Sequence, residues 1–284
     1  MHELKRVLVV GAGTMGSQIA LQIALGGRHE VTLVDAVSGQ LERARAQNRR
    51  LLDRSIEKGR ITEAAATDAL ARITDSNDLS SAAASADLVI EAVIEDFDTK
   101  REVFRALGKR AANDAILASN SSTIAISRLA DFTDRPQQCC NMHFFHPVTV
   151  MQLCEVVRGP KTSDATIEAA MQFVRSIDRT PVLLQKEIWG FIVNRVLFAA
   201  SEEAMRLLEG GYASAEDIDI AVQKGLNWPM GPFHLLDFSG LDIFYGAMKD
   251  RHKQGEGADA PEVLRTLVEA GHLGRKTGKG FFEY

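Results

Sequence analysis

Two periodicities divide the chain. Up to residue 186, short runs of consecutive apolar residues alternate with segments whose apolar positions recur every three or four residues. The runs predict buried strands, and the three-to-four spacing predicts amphipathic helices. The predicted strands are 5–10, 31–34, 73–75, 88–92, 116–119, 139–144, 151–157 and 181–185. The predicted helices among them are 17–25, 38–58, 62–72, 100–111 and 166–177.

Alternating strands and helices are typical of an α/β fold with a doubly wound, mostly parallel sheet. Helices 38–58 and 62–72 follow one another without a strand, which predicts an inserted helical hairpin. Beyond residue 186 the pattern is helical throughout, with one helix ending at Gly210-Gly211 and another, 215–224, ending before Gly225. We therefore predict an α/β domain at 1–186 and an all-helical domain at 187–284.

The first predicted strand runs directly into a glycine-rich turn. Gly11-Ala12-Gly13-Thr14-Met15-Gly16 joins this strand to a helix, and the next strand ends at Asp35. This order of a strand, a glycine-rich turn, a helix, a second strand and an acidic residue is the fingerprint of a dinucleotide-binding Rossmann domain. Free N–H groups at the start of the helix would face a pyrophosphate, and Asp35 would accept hydrogen bonds from the adenosine ribose.

Composition narrows the class of protein. The 284 residues carry a formal net charge of −5, with 45% hydrophobic and 25% charged residues, which is ordinary for a globular protein. This charge provides no global basic field for nucleic acid or an anionic membrane. The first strand begins too early for a signal peptide, and no apolar run is long enough to span a bilayer. We expect a cytoplasmic protein.

Cysteine usage agrees with a reducing compartment. Cys139 and Cys140 are adjacent in a predicted strand, and Cys154 lies in another apolar run. Buried thiols are the expected state, and without a Cys-x-x-Cys pair no metal site is expected.

Three polar residues lie directly after or within strands of the predicted sheet. Ser122 follows one strand, His143 stands among apolar residues, and Glu155 is a charge within an apolar strand. A buried carboxylate needs a partner, and a carboxylate that holds an imidazole makes it a better general base. Spacing alone leaves two interpretations open: a catalytic pair beside a nicotinamide, or a core histidine and an unrelated buried ion pair.

Motifs along nearly the whole chain resemble the 3-hydroxyacyl-CoA dehydrogenase family, including 3-hydroxybutyryl-CoA dehydrogenases. The matching segments are Gly11 to Gly16, Ser119-Asn120-Ser121-Ser122, His143-Phe144-Phe145, Glu155-Val156-Val157, Gly190-Phe191-Ile192-Val193-Asn194-Arg195, Met230-Gly231-Pro232-Phe233, Leu241-Asp242 and 274–280. The resemblance implies a Rossmann domain, a helical domain that dimerises and helps bind substrate, NAD as cofactor, and an (S)-3-hydroxyacyl-CoA substrate of fatty acid metabolism.

The resemblance also implies roles for single residues. His143 would be the catalytic base and Glu155 its orienting carboxylate, while Ser122 and Asn194 would contact the substrate and complete the catalytic set. Contacts with or near the cofactor are implied for Gly11, Ala12, Gly13, Thr14, Met15, Gly16, Asp35, Glu95, Lys100, Ser122, His146 and Lys276. Taken alone, Lys100 is equally consistent with the start of a solvated helix, and Lys276 with a loose tail charge.

Two positions depart from the family pattern. His146 replaces the usual asparagine after His-Phe-Phe, and Leu51 aligns with a serine that contacts coenzyme A. Lys58 matches the companion lysine of that serine, so we expect it to bind the substrate. Arg50, Arg54 and Lys58 are spaced by four residues, which places them on one helix face. For the two arginines, a solvated face balanced by Asp53 and Glu57 is the favoured interpretation.

Two other functions compete with acyl-CoA dehydrogenation. One is a related dehydrogenase of a hydroxy acid without coenzyme A, such as gulonate or carnitine. The other is a non-catalytic NAD-binding protein, against which the intact set of Ser122, His143, Glu155 and Asn194 argues.

Overall fold

A computed structural model describes residues 4–284. The chain forms two compact units, one ending at Phe191 and the other comprising Ile192–Tyr284. No helix within the described residues has the length and apolar character needed to cross a membrane.

The first unit is built on one eight-stranded sheet. Its strands are β1 (Arg6–Val10), β2 (Glu30–Val34), β3 (Ile73–Ser76), β4 (Leu88–Glu91), β5 (Ile116–Ser119), β6 (Cys139–Phe144), β7 (Leu153–Val157) and β8 (Thr180–Leu184). They lie in the order β3-β2-β1-β4-β5-β6-β7-β8, and every neighbouring pair is parallel except β6–β7. The predicted doubly wound, mostly parallel sheet is confirmed.

Helices cover both faces of this sheet. They are α1 (Thr14–Leu25), α2 (Ser38–Glu57), α3 (Glu63–Ala71), α4 (Leu79–Ser85), α5 (Phe97–Arg110), α6 (Ser127–Ala130) and α7 (Asp164–Ser176). Val7 and Val9 of β1 pack with α1 and α7, whereas Leu8 and Val10 pack with α4, α5 and α6. This alternation follows from the two-residue period of a strand, and it explains why β1 is apolar throughout.

The helical hairpin packs on the glycine-loop helix. Leu52 of α2 and Ala66 of α3 form a small core with Leu21 of α1. The remaining faces of α2 are mostly exposed, so this helix presents many of its charged side chains to solvent.

The second unit is helical, as predicted. It contains α8 (Val193–Glu209), α9 (Ala215–Leu226), α10 (Pro232–Ser239), α11 (Leu241–Lys253) and α12 (Glu262–Glu269). The prediction that α9 ends before Gly225 is wrong. The helix continues to Leu226 and ends at Asn227, whose left-handed backbone (φ 56°) stops it.

The three cysteines are buried and free. Burial raises the pKa of Cys139 to about 11 and also raises the pKa values of Cys140 and Cys154. These thiols therefore stay protonated and pack as small apolar side chains, since the thiolate is the reactive form.

Candidate active site

The glycine loop joins β1 to α1 in a conformation that suits a phosphate ligand. Gly11 has φ 102°, and a Cβ built there would lie 2.6 Å from the Ala92 carbonyl oxygen. A Cβ on Gly16 would lie 1.8 Å from the Gly11 oxygen, whereas one on Gly13 would meet no atom within 4 Å. The backbone at Gly13 is therefore open, at the N-cap of α1, where unpaired N–H groups favour an anion. These residues fit a dinucleotide pyrophosphate. Thr14 and Met15 form the first turn of α1, with Thr14 exposed and Met15 packed against the core.

Asp35 lies beside this loop at the end of β2. Its Oδ2 accepts a hydrogen bond from the Ala12 N–H at 2.8 Å, and its Oδ1 accepts one from the Val37 N–H at 2.9 Å. Two backbone donors fix the carboxylate, and its remaining lone pairs stay available for ribose hydroxyls.

Strand register places His143 beside Glu155. The antiparallel β6–β7 ladder pairs these two residues directly, and His143 Nδ1 lies 2.8 Å from Glu155 Oε2. Glu155 is fully buried and His143 is 7% exposed. Because a carboxylate only accepts hydrogen bonds, Nδ1 carries the proton, and in the neutral form of the ring Nε2 holds the lone pair. The pair thus has the tautomer that a general base requires.

Aromatic rings flank this imidazole. The Phe145 ring centroid lies 4.4 Å from that of His143, and the Phe191 centroid lies at 5.6 Å. Phe191 is buried and adopts φ 50°, which is unusual for an aromatic residue. These contacts restrict the orientation of the ring in addition to the hydrogen bond that His143 donates to Glu155.

Ser122 lies in a loop after β5 that Glu95 organises. Glu95 Oε1 accepts hydrogen bonds from the Ser121 hydroxyl, from the Ser122 N–H at 3.2 Å, and from the Thr123 N–H and hydroxyl at 3.3 and 3.0 Å. Burial alone would raise the pKa of Glu95, but the Lys100 ammonium and the Ser121 and Thr123 hydroxyls hold this pKa below its usual value. Glu95 is therefore a charged anchor for the Ser122 loop.

Lys100 is buried, with 1% of its side chain exposed. Its Nζ lies 2.7 Å from Glu91 Oε1 and 3.2 Å from Glu95 Oε2. The interpretation of Lys100 as the start of a solvated helix is therefore wrong: α5 begins earlier, at Phe97, and turns Lys100 inward.

Sequence reasoning overlooked Glu91, at the end of β4. Its Oε1 also accepts the Val93 N–H at 2.8 Å, and its Oε2 accepts the Ser119 hydroxyl at 2.7 Å. Such complete pairing is what allows a charge to be buried. We define the buried Glu91–Lys100 pair as the buried charge cluster. Its contact with Glu95, whose side chain is 41% exposed, joins the sheet to the Ser122 loop.

A second overlooked residue links the Ser122 loop to the histidine strand. Asn120 Oδ1 accepts a hydrogen bond from the Phe144 N–H at 3.0 Å. Because Phe144 directly follows His143, this bond connects the ends of β5 and β6.

Asn194 and Lys276 belong to the second unit. Asn194 is half-buried in the first turn of α8. Lys276 lies in a short 3-10 turn and pairs with Asp242, with 2.5 Å between Nζ and Oδ1. This pair gives Lys276 a defined position, which argues against a loose tail charge.

Lys58 directly follows α2 and is exposed, as are Arg50 and Arg54. Asp53 pairs with Arg49, at 2.8 Å, and Arg49 also reaches Glu63 at 3.0 Å. One of the two acids expected to balance the exposed basic face, Asp53, is thus engaged by a different arginine.

His146 is exposed in the loop after β6. Gln18 of α1 holds this loop by accepting the Val148 N–H at 2.9 Å. We expect His146→Asn to retain most activity and to change the KM for NAD by no more than about threefold, because an amide can replace an exposed imidazole as a hydrogen-bonding group. Steady-state kinetics check this. A collapse in kcat with unchanged NAD binding would instead give His146 a chemical role of its own.

Comparisons with known proteins place this geometry in a family. Residues 6–188 match the family described as "3-hydroxyacyl-CoA dehydrogenase, NAD binding domain", and residues 190–284 match "3-hydroxyacyl-CoA dehydrogenase, C-terminal domain". A 3-hydroxybutyryl-CoA dehydrogenase of Bradyrhizobium diazoefficiens is 41% identical over 99% of this chain and 96% of its own.

Solved structures agree with this placement. The (S)-3-hydroxybutyryl-CoA dehydrogenase PaaH1 of Ralstonia eutropha is 37% identical, with a TM-score of 0.93 over 99% of each chain. A diketoreductase acting on dicarbonyl compounds is 34% identical, with a TM-score of 0.89 over 100% of each chain. The fold is thus shared by proteins named for coenzyme A thioesters and by one named for other carbonyl compounds.

Proposed function

Because this chain belongs to the 3-hydroxyacyl-CoA dehydrogenase family, an NAD-dependent oxidoreductase family, we propose that it interconverts (S)-3-hydroxyacyl-CoA and 3-oxoacyl-CoA. Short acyl chains such as 3-hydroxybutyryl are the proposed substrates, within fatty acid metabolism. The observation that carries the proposal is the buried His143–Glu155 pair, in which Nδ1 and Oε2 are 2.8 Å apart.

The proposed mechanism assigns proton transfer to this pair. His143 Nε2 takes the proton of the substrate hydroxyl, while the Nδ1 proton stays on the hydrogen bond to Glu155, whose charge stabilises the imidazolium formed. The Ser122 hydroxyl donates a hydrogen bond to the same substrate oxygen, and Asn194 contacts the substrate. The chemistry that bound NAD would supply is acceptance of the hydride from the substrate carbon. In the reverse direction His143 returns its proton to the oxygen.

The glycine loop, Asp35 and Lys276 are proposed to bind the cofactor, with His146 as a further contact. Glu95 and Lys100 serve the same site: Glu95 orders the Ser122 loop, and the buried Lys100 keeps Glu95 charged. Because Lys100 is buried, its proposed contribution passes through Glu95.

We further propose a cytoplasmic homodimer formed by the helical unit. Large apolar side chains in that unit are exposed, among them Ile220, Leu226, Phe238 and Ile243. Surfaces of this kind mark protein contacts when they are contiguous. Sedimentation of the purified protein distinguishes a dimer from a monomer.

The substrate class is tested by NADH oxidation with acetoacetyl-CoA, longer 3-oxoacyl-CoAs and free 3-oxo acids in parallel. The proposal expects the highest kcat/KM with acetoacetyl-CoA. A preference for free acids or simple diketones would favour the second candidate, a reductase of carbonyl compounds without coenzyme A, which the likeness to the diketoreductase supports. No turnover with any of them, with NADH bound, would indicate a non-catalytic NAD-binding protein.

NAD should be preferred over NADP by about a hundredfold or more in kcat/KM. The 2′-phosphate of NADP adds a charge of about −1.5 to −2 beside the Asp35 carboxylate, and opposed like charges cost several kcal/mol. Initial rates with both cofactors measure this preference. Equal kcat/KM values would contradict the role of Asp35.

Lys58→Ala should raise the KM for acetoacetyl-CoA by at most about fivefold, because exposed ion pairs contribute only about 0.2–1 kcal/mol. The effect should shrink as salt rises. It should also vanish for a truncated thioester that lacks the nucleotide. An equal loss on full and truncated substrates would mean that Lys58 does not bind the coenzyme A moiety.

A further inference from the structure

A chain of polar contacts leads from the glycine loop to an arginine on α2. Asp35 Oδ2 accepts the Ala12 N–H at 2.8 Å, and the carbonyl of the same residue, Ala12, accepts a hydrogen bond from Gln40 Nε2 at 3.0 Å. Gln40 Oε1 in turn accepts hydrogen bonds from Arg43 Nε and Nη2, at 3.0 and 2.5 Å. One residue of the glycine loop, Ala12, is therefore held through its N–H by a carboxylate and through its carbonyl by an amide that orients a cation.

The two ends of this series of contacts, Asp35 and Arg43, carry opposite charges, and Asp35 stands at the position that faces the ribose in a dinucleotide-binding domain. In Rossmann domains, the acid at the position of Asp35 faces the adenosine ribose 2′-hydroxyl, and a nearby arginine is what accommodates a 2′-phosphate. The present protein has both the acid and the arginine. The carboxylate is fixed by two backbone donors, and the guanidinium is fixed by Gln40.

Arg43 retains the capacity to bind an anion. Of the five N–H donors of a guanidinium, two are used by Gln40, so Nη1 and part of Nη2 remain. Arg43 is exposed, and no acid among the described residues forms an ion pair with it. Arg45 differs, because it is paired with Asp75 across the α2–β3 contact.

We propose that Arg43, oriented by Gln40, is a specificity-determining residue that can bind a 2′-phosphate. In the wild-type protein the Asp35 carboxylate prevents a 2′-phosphate from reaching Arg43. The wild-type protein selects NAD because the carboxylate repels the phosphate. Removal of that charge alone should open a site for a 2′-phosphorylated nucleotide. This inference rests on the NAD-binding domain and does not depend on the substrate or on His143, so its failure would leave the proposed dehydrogenase activity intact.

Binding of nucleotide fragments tests the proposal without any turnover. The probes are adenosine 2′,5′-bisphosphate and 5′-AMP, titrated into each variant by calorimetry. The measured quantity is the affinity for the bisphosphate relative to that for 5′-AMP. Because both probes share the adenine, the ribose and the 5′-phosphate, this ratio reports the exchange of the 2′-hydroxyl for the 2′-phosphate, and the comparison with and without Arg43 isolates the contribution of the arginine.

Asp35→Ser should raise this ratio by about tenfold or more, since a charged hydrogen bond replaces a repulsion. Asp35→Ser/Arg43→Ala should lose most of that gain. Asp35→Ser/Arg45→Ala, the matched control with one cation removed from the same helix, should keep it. Asp35→Asn repeats the experiment with an isosteric side chain.

Three results would overturn the proposal. The first is a ratio that stays the same when Arg43→Ala is added to Asp35→Ser. The second is an equal loss of the gain when Arg45→Ala is added to Asp35→Ser. This would mean that the gain depends on the overall positive charge of α2 and not on Arg43. The third is no gain in the ratio in either Asp35 variant, which would mean that the Asp35 carboxylate does not exclude the 2′-phosphate.

Discussion

Replacement of His143 by glutamine is expected to lower kcat by about 10²–10⁴-fold, the usual contribution of a positioned general base. Glutamine keeps the polarity and approximate size of the side chain but cannot take up a proton. The affinity for NADH should change little, because the proposed pyrophosphate contacts come from the glycine loop. Stopped-flow or steady-state assays give kcat, and fluorescence titration gives the affinity for NADH.

The matched control is His29→Gln. His29 is also 7% exposed, and its two ring nitrogens lie 2.7 Å from the Leu4 carbonyl oxygen and from the Ser176 hydroxyl. This histidine has a structural environment, so its replacement should lower the unfolding temperature and leave kcat near that of the wild type. Near wild-type turnover in His143→Gln would rule out the proposed base.

Replacement of Lys100 by methionine is expected to lower the free energy of unfolding by about 3–5 kcal/mol. The loss arises because the fully buried Glu91 would lose the ammonium that lies 2.7 Å away, and breaking one side of a buried pair typically costs that much. Urea denaturation followed by circular dichroism measures the change.

Two further variants separate charge from packing. Lys109→Met, an exposed lysine on the same helix, should change the free energy of unfolding by less than about 0.5 kcal/mol. Glu91→Gln/Lys100→Met should be more stable than Lys100→Met, since no unpaired charge remains in the core. A Lys100→Met protein as stable as Lys109→Met would contradict the buried charge cluster.

The architecture follows from patterns that are local in sequence. Strands such as β1 and β4 are short apolar runs, and their period distinguishes them from helices. The helix end at Asn227 was missed because Gly225, two residues earlier, is the commoner stop signal. A propensity does not reveal which of two neighbouring residues adopts the left-handed backbone.

The site residues that could be predicted from the sequence are those whose polarity differs from that of their neighbours. Glu155 stands out as a charge in an apolar strand, and the β6–β7 register places it against His143. Glu91 carries the same signal in β4 and was overlooked. Its partner was not predictable, because a lysine near a helix start usually points to solvent, and only the packing of α5 turns Lys100 inward.

The contact chain through Gln40 to Arg43 has no sequence signal of this kind. Both side chains are polar, lie near the start of a mostly exposed helix, and fit a solvated face. Their role depends on the distance to the Ala12 carbonyl, which is set by how α2 packs on α1.

The central claim is that His143 and Glu155 act as one catalytic unit, and a double-mutant cycle on kcat tests it most directly. His143→Gln, Glu155→Gln and the double variant are compared with the wild type under identical conditions with acetoacetyl-CoA and NADH. If Glu155 acts only through the imidazole, the double variant should be no slower than His143→Gln alone, since groups that work as a unit are strongly non-additive. Multiplication of the two single losses in the double variant would contradict the account.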